Sequence, residues 1–274
     1  MQDGRLCSCS DDNTIKIYNL KTNTIDIEIS KLHNYSVQNL SQLDNGILLS
    51  CDDWDSTIKL WEISKETYKL LTTLYGHKNT VNKVIPLSKN RIASCSWDCK
   101  IIIWETIPPY KKITTLKGHK DIVNTIIALT NKEMLVSGSS DQTLFFWNLE
   151  DYQERKRIPD IPCYSFCELP NNRLAVGGYK SITVVNFLSY QIEAIIEDEG
   201  FGYCRSFIIL KNGNLLCGCG DGFEGYLCEL NLINYALLYK KEKAHKKCVT
   251  SLVKINDNSF ATCCQDCFIK VLEM

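Results

Sequence analysis

The sequence lacks the features that mark several large classes of protein. None of its apolar runs approaches the length of a transmembrane helix, so we predict no membrane partner. Basic and acidic residues balance to a net charge of −1, so we expect no direct nucleic-acid partner. The first residues, MQDGRLCSCS, carry no apolar stretch behind a basic start, which a secretory signal would require. These absences predict a cytoplasmic protein, with the nucleus as the alternative location.

Histidine is also scarce, and its positions reveal a repeat. The four histidines fall 44, 42 and 126 residues apart, and the last interval is three times 42. Aspartates that end runs of small residues keep an interval of 43 residues over the first half of the chain. A repeat of about 40–45 residues built from short strands is typical of one propeller blade. The repeat positions are His33, His77, His119 and His245, and Asp12, Asp55, Asp98, Asp141, Asp221 and Asp266.

Two consecutive copies, at residues 76–104 and 118–147, show the pattern most fully. Each copy opens with Gly-His and continues through an alternating apolar run. A small-residue run ending in Asp follows, and then a β-rich run ending in Trp. Alternation of apolar and polar residues predicts strands. No helical pattern of about 10–15 residues lies between the strands, which excludes an α/β fold.

In these features the chain resembles the WD40-repeat β-propeller family along its whole length. The resemblance implies an all-β fold, a seven-bladed β-propeller whose four-stranded antiparallel blades each contain strands a, b, c and d. The chain starts before strand b of blade one and stops after strand c of blade seven, so we expect the first and last blades to be incomplete. We place the blades in a single domain, 1–274, at residues 5–30, 36–74, 80–116, 122–158, 162–197, 203–241 and 248–274.

The resemblance also implies a hydrogen-bonded tetrad of His, Ser or Thr, Asp and Trp in several blades. We interpret the tetrads as structural, because a buried His–Asp contact would tie the entry loop to the b–c turn. The same residue types suggest a hydrolase, but one catalytic site does not need copies in successive blades. The matching residues are His77, Ser94, Asp98 and Trp104; His119, Ser137, Asp141 and Trp147; His33, Asp55 and Trp61, with Ser50 or Cys51 at the hydroxyl position; and His245, Thr262 and Asp266, with Leu272 in the place of Trp.

The 15 cysteines favour buried, reduced thiols over a disulfide framework. Disulfide-rich chains are typically small and secreted, and this chain shows neither property. Cys263, Cys264 and Cys267 resemble half of a zinc site, but no second pair with zinc spacing follows them. We therefore predict no metal and no cofactor.

Two further motifs have ordinary explanations. Residues 220–225 spell GxGxxG, yet the YLCELNL that follows alternates like a strand, so we predict a b–c turn rather than a dinucleotide site. A run of lysines precedes strand a of blade seven. We interpret it as a solvated loop, and the alternative is a binding site for an acidic partner. The members of this basic run are Lys240, Lys241, Lys243, Lys246 and Lys247.

The predicted partner-binding surface lies at the b–c-turn end of the blades. Side chains alternate along an extended strand, so if Asp55 and Asp98 point into their blades, Trp54 and Trp97 point away. The alternative is that both tryptophans pack on neighbouring loops. The resemblance places residues that flank the first apolar residue of strand a at the same end. The set is rich in hot-spot residue types. The predicted site residues are Trp54, Trp97, Asn82, Asn124, Tyr164, Tyr203 and Arg205.

These observations predict a non-catalytic scaffold or adaptor that presents a rigid face to protein or peptide partners. A substrate-recognition subunit of a ubiquitin ligase is one alternative, and a propeller hydrolase is a second with less support. The strands missing from blades one and seven predict a gap with unpaired edges, through which another chain could associate. We interpret the missing strands as the sign of a truncated reading frame or of a partner that donates them.

Overall fold

The structure, a computed structural model, describes residues 1–30, 33, 35–130 and 133–273, apart from the side chains of residues 239–243. The basic-run side chains of Lys240, Lys241 and Lys243 thus lie outside the described part. All regular elements within it are β-strands. The described residues contain no helix with the length and apolar character that crossing a membrane requires.

The strands form seven antiparallel sheets, and within each sheet neighbouring strands follow chain order. The first sheet contains β1 (Leu6–Cys9), β2 (Ile15–Asn19) and β3 (Thr24–Ile29), and the second contains β4 (Val37–Gln42), β5 (Leu48–Asp52), β6 (Thr57–Ile63) and β7 (Tyr68–Tyr75). The third contains β8 (Val81–Leu87), β9 (Arg91–Ser96), β10 (Lys100–Glu105) and β11 (Lys112–Lys117), and the fourth contains β12 (Val123–Ala128), β13 (Met134–Ser139), β14 (Leu144–Asn148) and β15 (Glu154–Ile158).

The remaining three sheets continue the same order. The fifth contains β16 (Ser165–Leu169), β17 (Arg173–Gly177), β18 (Ser181–Asn186) and β19 (Gln191–Glu197). The sixth contains β20 (Ser206–Ile209), β21 (Leu215–Gly220), β22 (Gly225–Leu230) and β23 (Leu237–His245). The seventh contains β24 (Val249–Asn256), β25 (Ser259–Cys264) and β26 (Ile269–Glu273). The prediction of seven antiparallel blades, with incomplete first and last blades, is confirmed, whereas the gap between those two blades stays a prediction.

The order of burial within a blade follows from its sequence. In the third sheet, β9 (RIASCS) is buried along its whole length, because its small and apolar residues pack on both faces. Its neighbour β10 (KIIIWE) is buried at every position between its two charged ends. The outer strand β11 (KITTLK) is mostly polar, and only Leu116 in it is buried. Strands b and c therefore supply the core, and strand d supplies the solvated edge.

The chain divides into two compact units, Met1–Asp141 with Phe146–Arg155, and Gln142–Phe145 with Lys156–Met274. In the first unit, Trp61 packs with the isoleucines of β2, and Trp104 packs with Val81 and Val84. In the second unit, the core between β18 and β22 is rich in cysteine and contains the fully buried side chain of Phe201. All 15 cysteines are free thiols.

The GxGxxG segment is a b–c turn, as predicted. Gly220 ends β21, Gly225 begins β22, and the two residues pair directly across the antiparallel ladder. Gly220 has a φ of +144°, and a Cβ there would lie 2.2 Å from the carbonyl oxygen of Glu224. The glycine is thus required by the close approach of two backbones rather than by a phosphate.

Arginines at the start of strand b, one of them buried, join neighbouring blades, a feature that the sequence did not predict. Arg91, at the start of β9, donates through Nη1 to the carbonyl oxygen of Leu149 at 2.7 Å and to Oη of Tyr152 at 3.0 Å. In the second unit, Arg173 starts β17 and makes the same pair of bonds, to the Leu232 carbonyl at 2.9 Å and to the Tyr235 hydroxyl at 3.1 Å. Each guanidinium therefore holds the c–d turn of the next blade in place.

Candidate interaction surface

The tetrad of the third sheet is a continuous hydrogen-bond chain. The indole Nε1 of Trp104 donates to Oγ of Ser94 at 2.9 Å, and Nε2 of His77 lies 2.8 Å from the same oxygen. Nδ1 of His77 lies 3.1 Å from Oδ2 of Asp98. Because the carboxylate can only accept, Nδ1–H donates to Asp98, and Nε2 accepts from the serine hydroxyl. Both ring nitrogens of His77 are therefore occupied in a buried position.

The Asp98 carboxylate binds backbone amides of the neighbouring segments in addition to His77. Oδ2 also accepts from the amide of Lys78 at 3.0 Å, and Oδ1 accepts from the amide of Lys100 at 3.1 Å. Burial alone would raise the pKa of Asp98, but the hydrogen bonds from His77 and from the Lys78 amide outweigh it, and the pKa falls below its ordinary value. The ionised form is thus the one that the folded blade stabilises.

The fourth and seventh sheets repeat this network. Nδ1 of His119 lies 3.2 Å from Asp141, Nε2 lies 2.8 Å from Oγ of Ser137, and Trp147 donates to that oxygen at 2.9 Å. In the seventh sheet, His245 lies 3.0 Å from Asp266 and 2.7 Å from Oγ1 of Thr262, while Leu272 stands where the indole would be. Burial opposes the effect, but backbone amides and His245 lower the pKa of Asp266 to about 2.

The second sheet departs from the predicted tetrad. The hydroxyl partner of His33 is Ser50, with Nε2 and Oγ 2.6 Å apart, and not Cys51. The nearest carboxylate oxygen to Nδ1 belongs to Asp52, at 3.2 Å, whereas that of Asp55 lies at 3.6 Å. Asp52 therefore shares the role that the sequence analysis gave to Asp55 alone.

A buried lysine accounts for this difference. Nζ of Lys59 donates to Oδ2 of Asp55 at 2.8 Å and to Oγ1 of Thr57 at 2.9 Å, and lies 3.2 Å from Nδ1 of His33. Burial would raise the pKa of Asp55, but the nearby His33 and the hydrogen bonds from Lys59 and Thr57 keep it well below its ordinary range. The insertion before Asp55 and the lysine in strand c are the sequence signals that could have revealed this charge cluster.

Among the residues that the structure describes, two groups of side chains have the donor types that bind metals, and each is already engaged within the protein. The first, His33 with Asp52 and Asp55, surrounds the ammonium group of Lys59. The second combines Cys264 with the His–Asp pair of the seventh sheet. The Cys264 thiol donates to the carbonyl oxygen of Lys247 at 2.8 Å and accepts from a backbone amide. We assign no metal to either group.

The predicted tryptophans of the first unit lie at equivalent b–c turns. The side chain of Trp54 follows β5 and is 74% exposed, and its ring lies 6.2 Å from that of Tyr35. Trp97 follows β9, is 44% exposed and donates through Nε1 to Oδ1 of Asn82 at 2.7 Å. Asn82 is fixed in turn, because its Nδ2 donates to the carbonyl oxygen of Val123 at 2.9 Å.

Asn124 in the fourth sheet repeats the position of Asn82. Its Nδ2 donates to Oγ of Ser140 at 3.1 Å, and Ser140 stands in the turn position that Trp97 occupies one blade earlier. An asparagine of strand a thus braces the b–c turn in both blades. The exposed group differs, being an indole in the third sheet and a hydroxyl in the fourth.

In the second unit, the structure brings Tyr164, Tyr203 and Arg205 together. The rings of Tyr164 and Tyr203 meet edge-to-face with centroids 5.0 Å apart. The guanidinium carbon of Arg205 lies 5.0 Å from the Tyr203 centroid and 6.0 Å from that of Tyr164. Tyr179 joins them at 4.9 Å from Tyr203, a contact that the sequence analysis did not predict. That all predicted surface residues share one face stays a prediction.

Seven antiparallel sheets, with tetrad networks that tie entry loops to b–c turns, define a repeat β-propeller. The sequence matches the family described as WD domain, G-beta repeat (WD40) over more than half of the chain, and the chain belongs to this family. The matched residues are 1–19, 29–62, 68–105, 110–148 and 238–272. The unmatched stretch 149–237 contains blade five and most of blade six, where the repeat residues are fewest.

Curated relatives match only part of the chain. A probable cytosolic iron-sulfur protein assembly protein 1 of Candida glabrata is 33% identical over 116 residues, 38% of this chain and 34% of that protein. Nuclear distribution protein PAC1 of Arthroderma benhamiae is 38% identical over 111 residues, 36% of this chain and 24% of that protein. Human DDB1- and CUL4-associated factor 10 is 35% identical over 79 residues, 28% of this chain and 14% of that protein. The chain thus spans about a third or less of the length of these relatives.

Proposed function

We propose that this chain is a non-catalytic scaffold that presents the b–c-turn end of its blades to protein or peptide partners. The observation that carries the proposal is the exposure of Trp54 and Trp97 in equivalent turns. Covering one such indole with a partner contributes about 3 kcal/mol of apolar burial, before the costs of association. Exposed tryptophans at successive turns therefore support a binding surface.

The support for Trp97 extends beyond its exposure. Its indole is held by Asn82, and that amide is held by the Val123 backbone. An indole fixed before binding loses less rotamer freedom when a partner covers it. The turns of adjacent blades are also linked, because Oγ1 of Thr80 donates to Asp53, the residue before Trp54, at 2.8 Å. A rigid, preorganised surface is what a scaffold needs.

The histidines support the absence of catalysis in this proposal. In the tetrads, His77, His119 and His245 each use both ring nitrogens in contacts to Asp and to a hydroxyl, and all three are buried. His33 is engaged in the same way. A general base must reach the proton that it removes. The chain's Ser-His-Asp sets therefore support architecture rather than hydrolysis.

The relatives carry different biological names. Their names refer to iron-sulfur protein assembly, to nuclear distribution and to association with DDB1 and CUL4. We propose on this basis a partner-binding role in the cytosol or the nucleus. The third name supports the alternative that this chain is a substrate-recognition subunit of a ubiquitin ligase.

Affinity capture with quantitative mass spectrometry tests the proposal. A Trp54→Ala/Trp97→Ala double variant should lose specific partners at least about tenfold relative to wild type, the effect typical of hot-spot truncation. Ile107→Ala is the matched control, since Ile107 is 52% exposed and follows β10, while Trp97 precedes that strand. Partner recovery that is equal in the wild type, the double variant and the control would contradict a binding role for this end of the blades.

A further inference from the structure

Arg205 is displayed on an aromatic base in the second unit. We define the Arg205 platform as Tyr164, Tyr179, Tyr203 and Arg205, which the ring and cation contacts described above bring together. Arg205 is exposed, and the tyrosines are partly or fully accessible. A guanidinium stacked on a ring keeps its N–H donors in the plane of the group, where they remain available to a ligand.

The charge of Arg205 is not matched by a carboxylate. Across residues 1–30, 33, 35–130 and 133–273, no Asp or Glu forms an ion pair with it. Two acidic residues close to the platform are engaged with other groups. Glu199 pairs with Lys180, and the Asp221 carboxylate accepts from two amides of its own turn at 2.8 and 3.0 Å. The platform therefore carries an unneutralised cation.

A second cationic segment joins this position. The Cys248 thiol lies 4.0 Å from the carbonyl oxygen of Tyr203, a member of the platform, and Cys248 is preceded directly by Lys246 and Lys247. Both lysines are exposed, and neither forms an ion pair within the part of the chain that the structure describes. The end of the basic run therefore leads into the residue that contacts Tyr203 of the platform, which brings the two cationic features to one local surface.

We propose that the Arg205 platform, together with Lys246 and Lys247, binds anionic side chains, carboxylate or phosphate, of an extended partner peptide. This inference rests on the proposed scaffold function and names the chemistry of one partner. The guanidinium forms charge-assisted, bidentate hydrogen bonds to the anionic group. The tyrosine rings pack against the apolar part of the same peptide. The lysines add attraction that salt weakens.

The surroundings favour a peptide over a nucleic acid. A nucleic-acid backbone carries a continuous row of phosphates and needs a continuous basic track. Here the exposed carboxylate of Glu199 pairs with Lys180, the residue after Tyr179, and Asp221 follows Gly220, whose carbonyl oxygen accepts from the Tyr203 amide. These carboxylates would repel a continuous phosphate backbone, whereas single anionic side chains can be spaced to avoid them.

Fluorescence anisotropy with defined peptides tests the inference on the intact chain. The probes are a fluorescein-labelled Gly-Ser peptide with glutamates at alternate positions, the same peptide with phosphoserines, and the same peptide with glutamines. We expect the glutamate or the phosphoserine peptide to bind at least about tenfold more tightly than the glutamine peptide, the fold-change of a charge-assisted hydrogen bond. Whichever of the two binds more tightly identifies the source of the anion.

Variants assign the binding to this surface. Arg205→Gln should weaken binding of the anionic peptide about tenfold, and Arg205→Lys should restore part of the loss because the charge returns without the planar fork. Lys211→Gln is the matched control, since Arg205 precedes β20 and Lys211 lies beyond its far end. If Arg205→Gln fails to fold, Lys246→Gln/Lys247→Gln replaces it, because both side chains are exposed.

Three results would overturn the inference. They are equal affinity for the anionic and glutamine peptides, equal losses from Arg205→Gln and Lys211→Gln, and tighter binding of a single-stranded RNA oligonucleotide than of either anionic peptide. The scaffold proposal is judged separately by the tryptophan variants of the first unit. Loss of partners from those variants, with no anionic peptide binding, would leave the scaffold function standing and refute only this inference.

Discussion

Asp98→Ala should destabilise the protein strongly, because the substitution breaks the third-sheet tetrad at its acceptor. Asp98 accepts from Nδ1–H of His77, from the Lys78 amide and from the Lys100 amide, and its side chain is 5% exposed. Water can replace the acceptor at the exposed Lys78 amide. The buried imidazole N–H and the partly buried Lys100 amide lose their partner, at a cost of about 1–3 kcal/mol each.

The expected loss is therefore about 3 kcal/mol, which lowers the melting temperature by about 6–12 °C for a chain of this size. Urea and thermal unfolding, followed by tryptophan fluorescence, measure the change. Asp98→Asn should recover part of the loss, since the amide oxygen still accepts one backbone bond. Lys180→Ala is the control, because Lys180 lies in the b–c turn of blade five and its ion pair with Glu199 is exposed. Equal destabilisation by Asp98→Ala and Lys180→Ala would refute the tetrad argument.

Three further outcomes are expected. The carboxylate of Asp266 has a folded pKa of about 2, below its unfolded value near 4, so its contribution to stability is complete above about pH 4 and is lost as the pH falls towards 2. The urea midpoint of unfolding should therefore fall between pH 4 and about pH 2. A midpoint that stays constant from pH 5 to about pH 2 would contradict this expectation. Arg91→Ala should lower the free energy of unfolding in urea by about 2–4 kcal/mol, because it removes the charged hydrogen bonds to Leu149 and Tyr152, which form the Arg91 clamp. Arg155→Ala, at an exposed position, should change the free energy of unfolding little. Similar values for the two variants would refute the stabilising role of the clamp. Thiol titration should find all 15 cysteines after unfolding, and exposed Cys267 should react first in the native protein, whereas a deficit of thiols would reveal disulfides.

The fold could be predicted because the repeat is encoded in several residue types at once. The copies at 76–104 and 118–147 combine the Gly-His entry, the small-residue strand and the terminal Trp. Each of these residue types is required for burial or hydrogen bonding at one position of a blade. Their spacing therefore indicates directly where each blade lies in the sequence. Blade five keeps its four strands without a tetrad, because the nearly continuous small and apolar residues of β17 and β18 suffice to bury both central strands.

The parts that could not be predicted depend on contacts that leave no repeat in the sequence. The Arg91 clamp ends on a backbone carbonyl 58 residues away, and any residue supplies such a carbonyl. The charge cluster around Lys59 arises where an insertion displaces Asp55 and brings Asp52 beside His33. Both depend on three-dimensional placement rather than on residue type at a fixed interval.

The same limit applies to the surface. The exposure of Trp97 agrees with the alternation of side chains at the end of strand b, whereas Trp54 lies two residues beyond β5, after the buried Asp52. The contact of Tyr179 with Tyr203 joins two blades that lack most repeat residues, and it depends on a bridge between their backbones. The Arg205 platform thus emerges only from the structure.

Site-specific photo-crosslinking in cells tests the central claim most directly. A photoreactive phenylalanine analogue placed at position 97 would sit at the exposed turn, and the same analogue at position 107 would sit beyond the other end of β10. The scaffold account predicts that the residue at 97 crosslinks to a discrete protein or peptide partner and that the residue at 107 does not. Crosslinks from position 107 alone, or identical crosslinks from both positions, would contradict the account.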